Sequence, residues 1–221
     1  MDFRNYATKH ANINSLYFDD YFKKINRQSN TTHIIDESVD GIVVDVFSKL
    51  LHSRIIFLST QMDADICNII KAQLLYLEHL DPKKDIKIYI DSPGGSVYSG
   101  LGLLDTMDFI ENDIVTINTG LAASMAAIIL CSGSKGKRKS LKRSRTMIHQ
   151  PLGYSGYAQA SDIEIDAKEI NLVKRELYEI ISNQTGKKFD DVFKDGDRDY
   201  WMNSEDAKKY GMIDEIIQRR K

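Results

Sequence analysis

Cysteine is scarce in this chain: 221 residues carry two, Cys67 and Cys131, far apart and outside any CxxC pair or Cys/His cluster. That argues against a disulfide framework and a zinc site, and favours a reducing compartment. Long apolar runs are missing as well. Nothing approaches the roughly 18 consecutive apolar residues of a membrane span, and the start, Met1-Asp2-Phe3-Arg4-Asn5-Tyr6, has no apolar signal core. A soluble cytoplasmic protein is the expectation. Charge of one sign is also lacking: 30 Lys and Arg face 32 Asp and Glu, for a net charge of −2. That balance gives no global electrostatic reason to bind nucleic acid or a membrane surface. What is present is globular usage, 42% hydrophobic and 28% charged, enough for one domain of ordinary size.

Residues 1–35 differ from the rest. Asn, Lys, Asp, Tyr and Thr dominate there, with too few apolar residues to offset the entropy of ordering the chain. We expect a polar leader or arm over 1–35, open to processing, followed by one domain over 36–221. Within that domain, 54–59 reads as a buried strand, and the apolar spacing of Ile66, Ile69, Ile70, Leu74 and Leu77 predicts a helix over 63–80. A strand over 86–90, a helix over 96–111 and a strand over 114–119 follow. The small-residue segment 122–127 opens a third helix. Three alternations of strand and helix argue an α/β domain with mainly parallel pairing. Residues 162–182 form a long amphipathic helix, which either packs along the domain or projects toward another subunit.

Two turns stand out because each follows a strand and precedes a helix. Pro93-Gly94-Gly95 is a corner lacking Cβ bulk, whose amides can cradle an oxyanion or a phosphate, although a plain turn explains it as well. It is no P-loop, since no Gly-Lys-Ser/Thr follows. At the second turn, Gly120 and the alanines leave room around Ser124, placing its hydroxyl and the Met125 amide at a helix start. The bland alternative is that Ser124 is an N-cap. The Gly-x-Ser-x-Gly elbow of α/β-hydrolases is absent.

A serine nucleophile needs a base. His10 and His33 lie in the polar arm, while His52 and His79 read as ordinary surface or packing residues. His149 ends a strand-like run before Gln150-Pro151 and is the best placed. The acid that would hold its imidazole is open: Asp195, Asp197 and Asp199 recur at period two and would share one face of an extended segment. The basic run 135–145 is the one strong charge asymmetry. A nucleic-acid patch is conceivable there, but no RNP-type aromatic pattern accompanies it, and a solvated hairpin or interface face is the better reading.

Taken together, six segments in order resemble the proteolytic subunit of the Clp protease, the ClpP family of serine peptidases. They are Ser53-Arg-Ile-Ile-Phe-Leu58, Tyr89-Ile-Asp-Ser-Pro-Gly-Gly-Ser96, Ala122-Ala-Ser-Met125, Met147-Ile-His-Gln-Pro-Leu-Gly153, Asp162-Ile-Glu-Ile165 and Asp197-Arg-Asp-Tyr-Trp-Met202. The resemblance implies a ClpP/crotonase-type α/β fold of β-β-α units with a projecting handle helix. It implies Ser124 as nucleophile, His149 as general base and Asp199 as acid, with the Gly95 and Met125 amides as oxyanion hole and no metal or cofactor. It also implies a homo-oligomer of two stacked heptameric rings, touching through the handle and through Arg198. Leu75, Tyr89 and Phe109 would form the pocket for a hexameric AAA+ unfoldase (ClpX- or ClpA/ClpC-like) that delivers unfolded proteins, while short peptides diffuse in. Residues 37–41 would lie near the axial loop. The chain departs from the family pattern at Lys87 in the docking pocket, at Leu121, at Lys142-Arg143, and in one extra residue over 151–161. Other classes considered are a catalytically silent subunit of a mixed ring, a crotonase-like acyl-CoA enzyme and a nucleic-acid-binding module. The intact Ser, His and Asp set favours the peptidase.

Overall fold

The computed structural model describes residues 3–9, 14–16, 33–36, 42–153 and 159–218. Of the expected arm, helix α1 (Phe3–Lys9) is described, and it is docked rather than loose: Ala7 is fully buried and Tyr6 packs on Tyr76 with ring centroids 5.3 Å apart. The β1 (His33–Asp36) and β2 (Ile42–Asp45) strands pair antiparallel. The expected axial-loop residues 37–41 between them lie outside the described residues, as does most of the arm.

The domain then alternates as its periodicities predict. After α2 (Val46–His52) and β3 (Ile55–Leu58), helix α3 (Ala64–Leu80) starts where Asp63 accepts a hydrogen bond from the Ile66 amide, 2.8 Å, satisfying one free N–H of the first turn. Strand β4 (Ile86–Ser92) leads to α4 (Val97–Phe109), capped by Ser96. Strand β5 (Ile114–Ala123) is longer than the run 114–119 suggested, and α5 (Met125–Cys131) starts three residues later than expected. Every residue of α5 is buried, so it is an all-apolar core helix rather than an amphipathic cover.

Strands β3, β4, β5, β6 (Arg138–Leu141) and β9 (Glu215–Ile217) form a parallel sheet in that order. On the side away from β4, strand β5 serves two further neighbours: residues 116–118 pair with β6, and residues 121–123 pair with β7 (Arg145–Ile148). Strand β8 (Tyr200–Asn203) pairs antiparallel with β7. The basic run is therefore no solvated hairpin. Strands β6 and β7 each pair with β5, not with each other. Arg138 is buried against Asp214, and Lys137 and Lys139 reach Asp85, Asp113 and Glu215.

Helix α6 (Ala160–Thr185) has 26 residues, about 39 Å at 1.5 Å per residue. Only its second half is packed, through Val173, Leu177, Tyr178 and Ile181. The first half projects, leaving Ile165 62% and Leu172 64% exposed. Gly186 in the left-handed conformation ends it. Helices α7 (Phe189–Asp195) and α8 (Ser204–Tyr210) complete the fold. Among the described residues, no helix is long and apolar enough to cross a membrane.

Candidate active site

The site is assembled where β5, β7 and β8 run side by side. In the β5–β7 register, Ala123 faces Met147, and the next residue, Ser124, donates its amide to the Met147 carbonyl at 2.9 Å. In the antiparallel β7–β8 register, Ile148 faces Tyr200, so one step outward along both strands brings His149 to Asp199. The side chains complete the line. Ser124 Oγ lies 2.9 Å from His149 Nε2, and His149 Nδ1 lies 3.2 Å from Asp199 Oδ1. A carboxylate at Nδ1 favours the tautomer with the proton there, leaving Nε2 to accept from the serine hydroxyl.

Ser124 is not an ordinary N-cap. It occupies the cap position of α5 but makes no side-chain cap bond, and its backbone sits at φ 56°, ψ −128°. A non-glycine residue at positive φ is strained by roughly 1–3 kcal/mol, and such strain persists where the surroundings over-determine it. Here the strain aims Oγ away from the helix and toward His149. The turn thus has the strand–serine–helix shape of a nucleophile elbow without the Gly-x-Ser-x-Gly sequence.

The space for this elbow comes from Gly94, not from Gly120. A Cβ on Gly94 would lie 2.6 Å from the Ala123 carbonyl oxygen and 2.8 Å from the Met125 nitrogen. Gly120 instead makes room for Asp91, whose carboxylate accepts from the Leu121 amide at 2.9 Å. The 93–95 turn is pinned from both sides. Ser92 Oγ donates to the Thr60 carbonyl and accepts from the Gly94 amide, while Met62 bonds the Gly94 carbonyl and the Ser96 amide. Between these, the Gly95 N–H has no acceptor among the described residues. The Met125 amide opens α5 and has no intrahelical acceptor. Two unspent donors therefore flank Ser124, the arrangement that receives a developing oxyanion.

Ser124, His149 and Gly95 line one cleft of ≈ 960 Å³, roofed by the Ile163, Ile170 and Val173 face of α6. The amphipathic pattern of 162–182 does not by itself reveal that its apolar face closes over the serine. Asp195 and Asp197 are not brought to the histidine. Asp195 ends α7 and Gly196 caps it, so the three aspartates do not share one extended face as expected. The Asp197 carbonyl instead accepts from Gln150 Nε2 at 2.7 Å. His52 and His79 are exposed and remote in the fold, His10 lies outside the described residues, and His33 lies in β1.

The other expected site residues lie outside the cleft lining. Tyr89 packs on Phe57, which packs on Phe47. Leu75 is half-buried on α3, and Phe109, ending α4, is 77% exposed. Lys87 shares the open face of β4 with Tyr89. The exposed Arg198 makes no ion pair among the described residues. Among those residues no group of three or more His, Cys, Asp or Glu could hold a metal ion. Both thiols are buried, and burial pushes Cys67 up to about 11 and Cys131 up to about 12, so neither competes as nucleophile.

Known proteins resemble this chain along its whole length. A family model described as Clp protease matches residues 38–220. An ATP-dependent Clp protease proteolytic subunit of Bacteroides fragilis (strain YCH46) is 53% identical over 219 residues, covering 99% of both chains. Its counterpart in Porphyromonas gingivalis is 51% identical over 220 residues, 100% of this chain and 99% of the relative. An ATP-dependent Clp protease proteolytic subunit 2 of Synechococcus sp. (strain CC9605) is 51% identical over 188 residues. With a parallel sheet, a projecting helix and similarity along its whole length, this chain belongs to the Clp protease family.

Proposed function

We propose that the chain is a serine endopeptidase subunit of a self-compartmentalising ring, acting through Ser124, His149 and Asp199. The observation that carries the reading is the unbroken line from Ser124 Oγ to His149 to Asp199 at an open cleft, built on a strained turn. His149 Nε2 takes the hydroxyl proton as Oγ attacks a peptide carbonyl, and Asp199 stabilises the imidazolium that forms. The amides of Gly95 and Met125 receive the negative oxygen. Losing one such donor costs about 2.7–4 kcal/mol of barrier. The imidazolium then gives its proton to the departing amine as the C–N bond breaks. Water, deprotonated by His149, attacks the acyl-enzyme and releases the acid.

The exposed first half of α6 supports assembly. Ile165 and Leu172 are apolar and unpartnered in the single chain, which favours packing of this half against a second copy. Two stacked heptameric rings, with Arg198 pairing across their contact, are the arrangement proposed. The names of the relatives begin "ATP-dependent", and we extend this to a hexameric AAA+ unfoldase docking at Leu75, Tyr89 and Phe109. Lys87 beside Tyr89 adds a cation to that surface and favours an acidic group on the docking loop. A leader over 1–35 and a cytoplasmic setting belong to the same reading.

Covalent labelling by a fluorophosphonate, with assembly size measured in parallel, tests it. We expect labelling at Ser124 in a species near fourteen subunits, lost in Ser124→Ala. An intact ring that takes no label would overturn the peptidase reading in favour of a silent subunit.

A further inference from the structure

The α6 wall of the catalytic cleft is not uniformly apolar. Ile163, Asp166, Ile170 and Val173 fall at three- and four-residue steps, so one helix face carries all four. Asp166 thus interrupts an otherwise hydrophobic stripe, and Glu169 borders it. Across the cleft, in the first turn of α4, Tyr98 donates its hydroxyl to Glu169 Oε1 at 2.9 Å. That bond raises the Tyr98 phenol above its ordinary range, and the charges of Glu169 and then Asp166 add to the effect, so both carboxylates lie close to one point. Asp166 has no hydrogen bond or ion pair among the described residues. Among the described residues, no lysine or arginine lines the cleft. Lys168 stands between Asp166 and Glu169 in sequence, but it steps about 200° around the helix from Asp166 and does not line the cleft, and Lys174, farther along α6, is held by Gln150 Oε1 at 3.0 Å.

A peptide entering this cleft to reach Ser124 meets an apolar wall that ends in two negative charges, with no cation on the described lining. A long aliphatic side chain with a cationic head suits such a surface: its stem covers Ile170 and Val173 while its head stays hydrated beside the carboxylates. An acidic side chain in the same place is repelled. We infer that Asp166 and Glu169, with Tyr98 orienting the latter, are specificity-determining residues that make the cleft select peptides carrying Lys or Arg at or next to the residue giving the scissile carbonyl. The inference rests on the peptidase reading for its turnover and on cleft geometry alone for its binding.

The experiment uses the full chain in its assembled form and a set of fluorogenic peptides, identical except for Lys, Gln or Glu scanned through the positions flanking an apolar residue. At low salt the best Lys peptide is expected to exceed its Glu counterpart by about 5-fold in kcat/KM, the effect of two solvent-exposed charge contacts. The ratio should shrink toward one at about 1 M salt. Asp166→Asn with Glu169→Gln, which keeps the acceptor for Tyr98, should bring it below about twofold while leaving the Gln peptide's rate within about twofold. The same peptides are titrated onto Ser124→Ala by fluorescence anisotropy, where the Kd ratio should match. Equal cleavage and equal binding of Lys and Glu peptides overturn the inference, as does a preference that survives the double substitution. Charge-selective binding to Ser124→Ala without cleavage by the parent supports it and sinks the peptidase reading instead.

Discussion

At the scale of single residues, the conformation of Ser124 differs from that of a capping serine. A capping serine would bond an amide of the first turn and leave the backbone unstrained. Here the hydroxyl goes to His149 and the residue adopts φ 56°. The strain belongs to Cβ, which both serine and alanine carry and glycine lacks. Ser124→Ala and Ser124→Gly should therefore both abolish peptide cleavage, yet differ in stability, with the positive φ widening the ordinary N-cap preference of glycine over alanine. We expect the glycine variant to be the more stable by about 1 kcal/mol, read by urea unfolding of the two variants side by side. An alanine variant equal to or above glycine would mean the backbone relaxes once Oγ is removed. Asp199 is less enclosed than its partner: its side chain is 59% exposed in the single chain, against 17% for His149. Its part in the site is thus set by position, through the β7–β8 register, more than by burial.

At the scale of elements, the close approach of the 93–95 turn to the start of α5 decides whether donors and nucleophile share one space. Gly94 and Gly136 offer a matched pair, at φ 85° and φ 83°. A Cβ on Gly136 would meet nothing within 4 Å, whereas on Gly94 it would overlap the backbone of the serine turn. Gly136→Ala should cost about 1 kcal/mol from the backbone alone and leave peptidase activity intact. Gly94→Ala carries the same conformational penalty and must also push the turn off Ser124. It should cost a further 1–3 kcal/mol or so and lower kcat/KM by at least about tenfold. Equal activity in the two variants would show that the turn can withdraw without disturbing the site. The α6 helix makes the complementary point: its second half is held by four buried side chains, and its first half meets the other described elements at the cleft.

At the scale of the whole molecule, Arg138 is the tie. Its guanidinium donates to the Cys131 carbonyl ending α5, to the Gln184 carbonyl near the end of α6, and to both oxygens of Asp214 ahead of β9. Partial burial raises the Asp214 carboxyl, but the hydrogen bonds and charge of Arg138 outweigh it and hold the group below its usual range. A carboxyl depressed on folding stabilises above its unfolded value, near 3.9, and the contribution is lost as pH falls through the folded value. The parent should therefore keep this stabilisation at neutral pH and lose it progressively below about pH 4. Asp214→Asn should unfold at lower urea than the parent at pH 7, by about 3 kcal/mol because Arg138 is left buried and unpaired. The gap should narrow in acid. A gap constant from pH 7 to pH 3 would assign the effect to hydrogen-bond geometry rather than charge.

Much of this was legible beforehand. Apolar spacing placed α3, α4 and most of β3, β4 and β5 within a few residues, because each element buries one face at its own period and ends at residues that cap or break it. The same reading singled out Ser124, His149 and the glycine turn, since a strand-to-helix corner free of Cβ bulk is a local property of the chain. Other features were decided beyond any local window. The basic run looked solvated, and only the pairing of β6 with both β5 and β9 turned Arg138 inward onto Asp214. The aspartates at 195, 197 and 199 are equivalent by spacing; the family resemblance points to Asp199, and the end of α7 and the facing of Ile148 with Tyr200 supply the physical reason. Sequence alone determined which elements form and which residues can do chemistry, because propensity, capping and amphipathic period act over a few neighbours. How Asp199 is brought to the histidine, which glycine clears the serine and where α6 closes the cleft were left to tertiary structure, because strand register and close packing join residues 25 to 71 positions apart, and no local pattern encodes that distance.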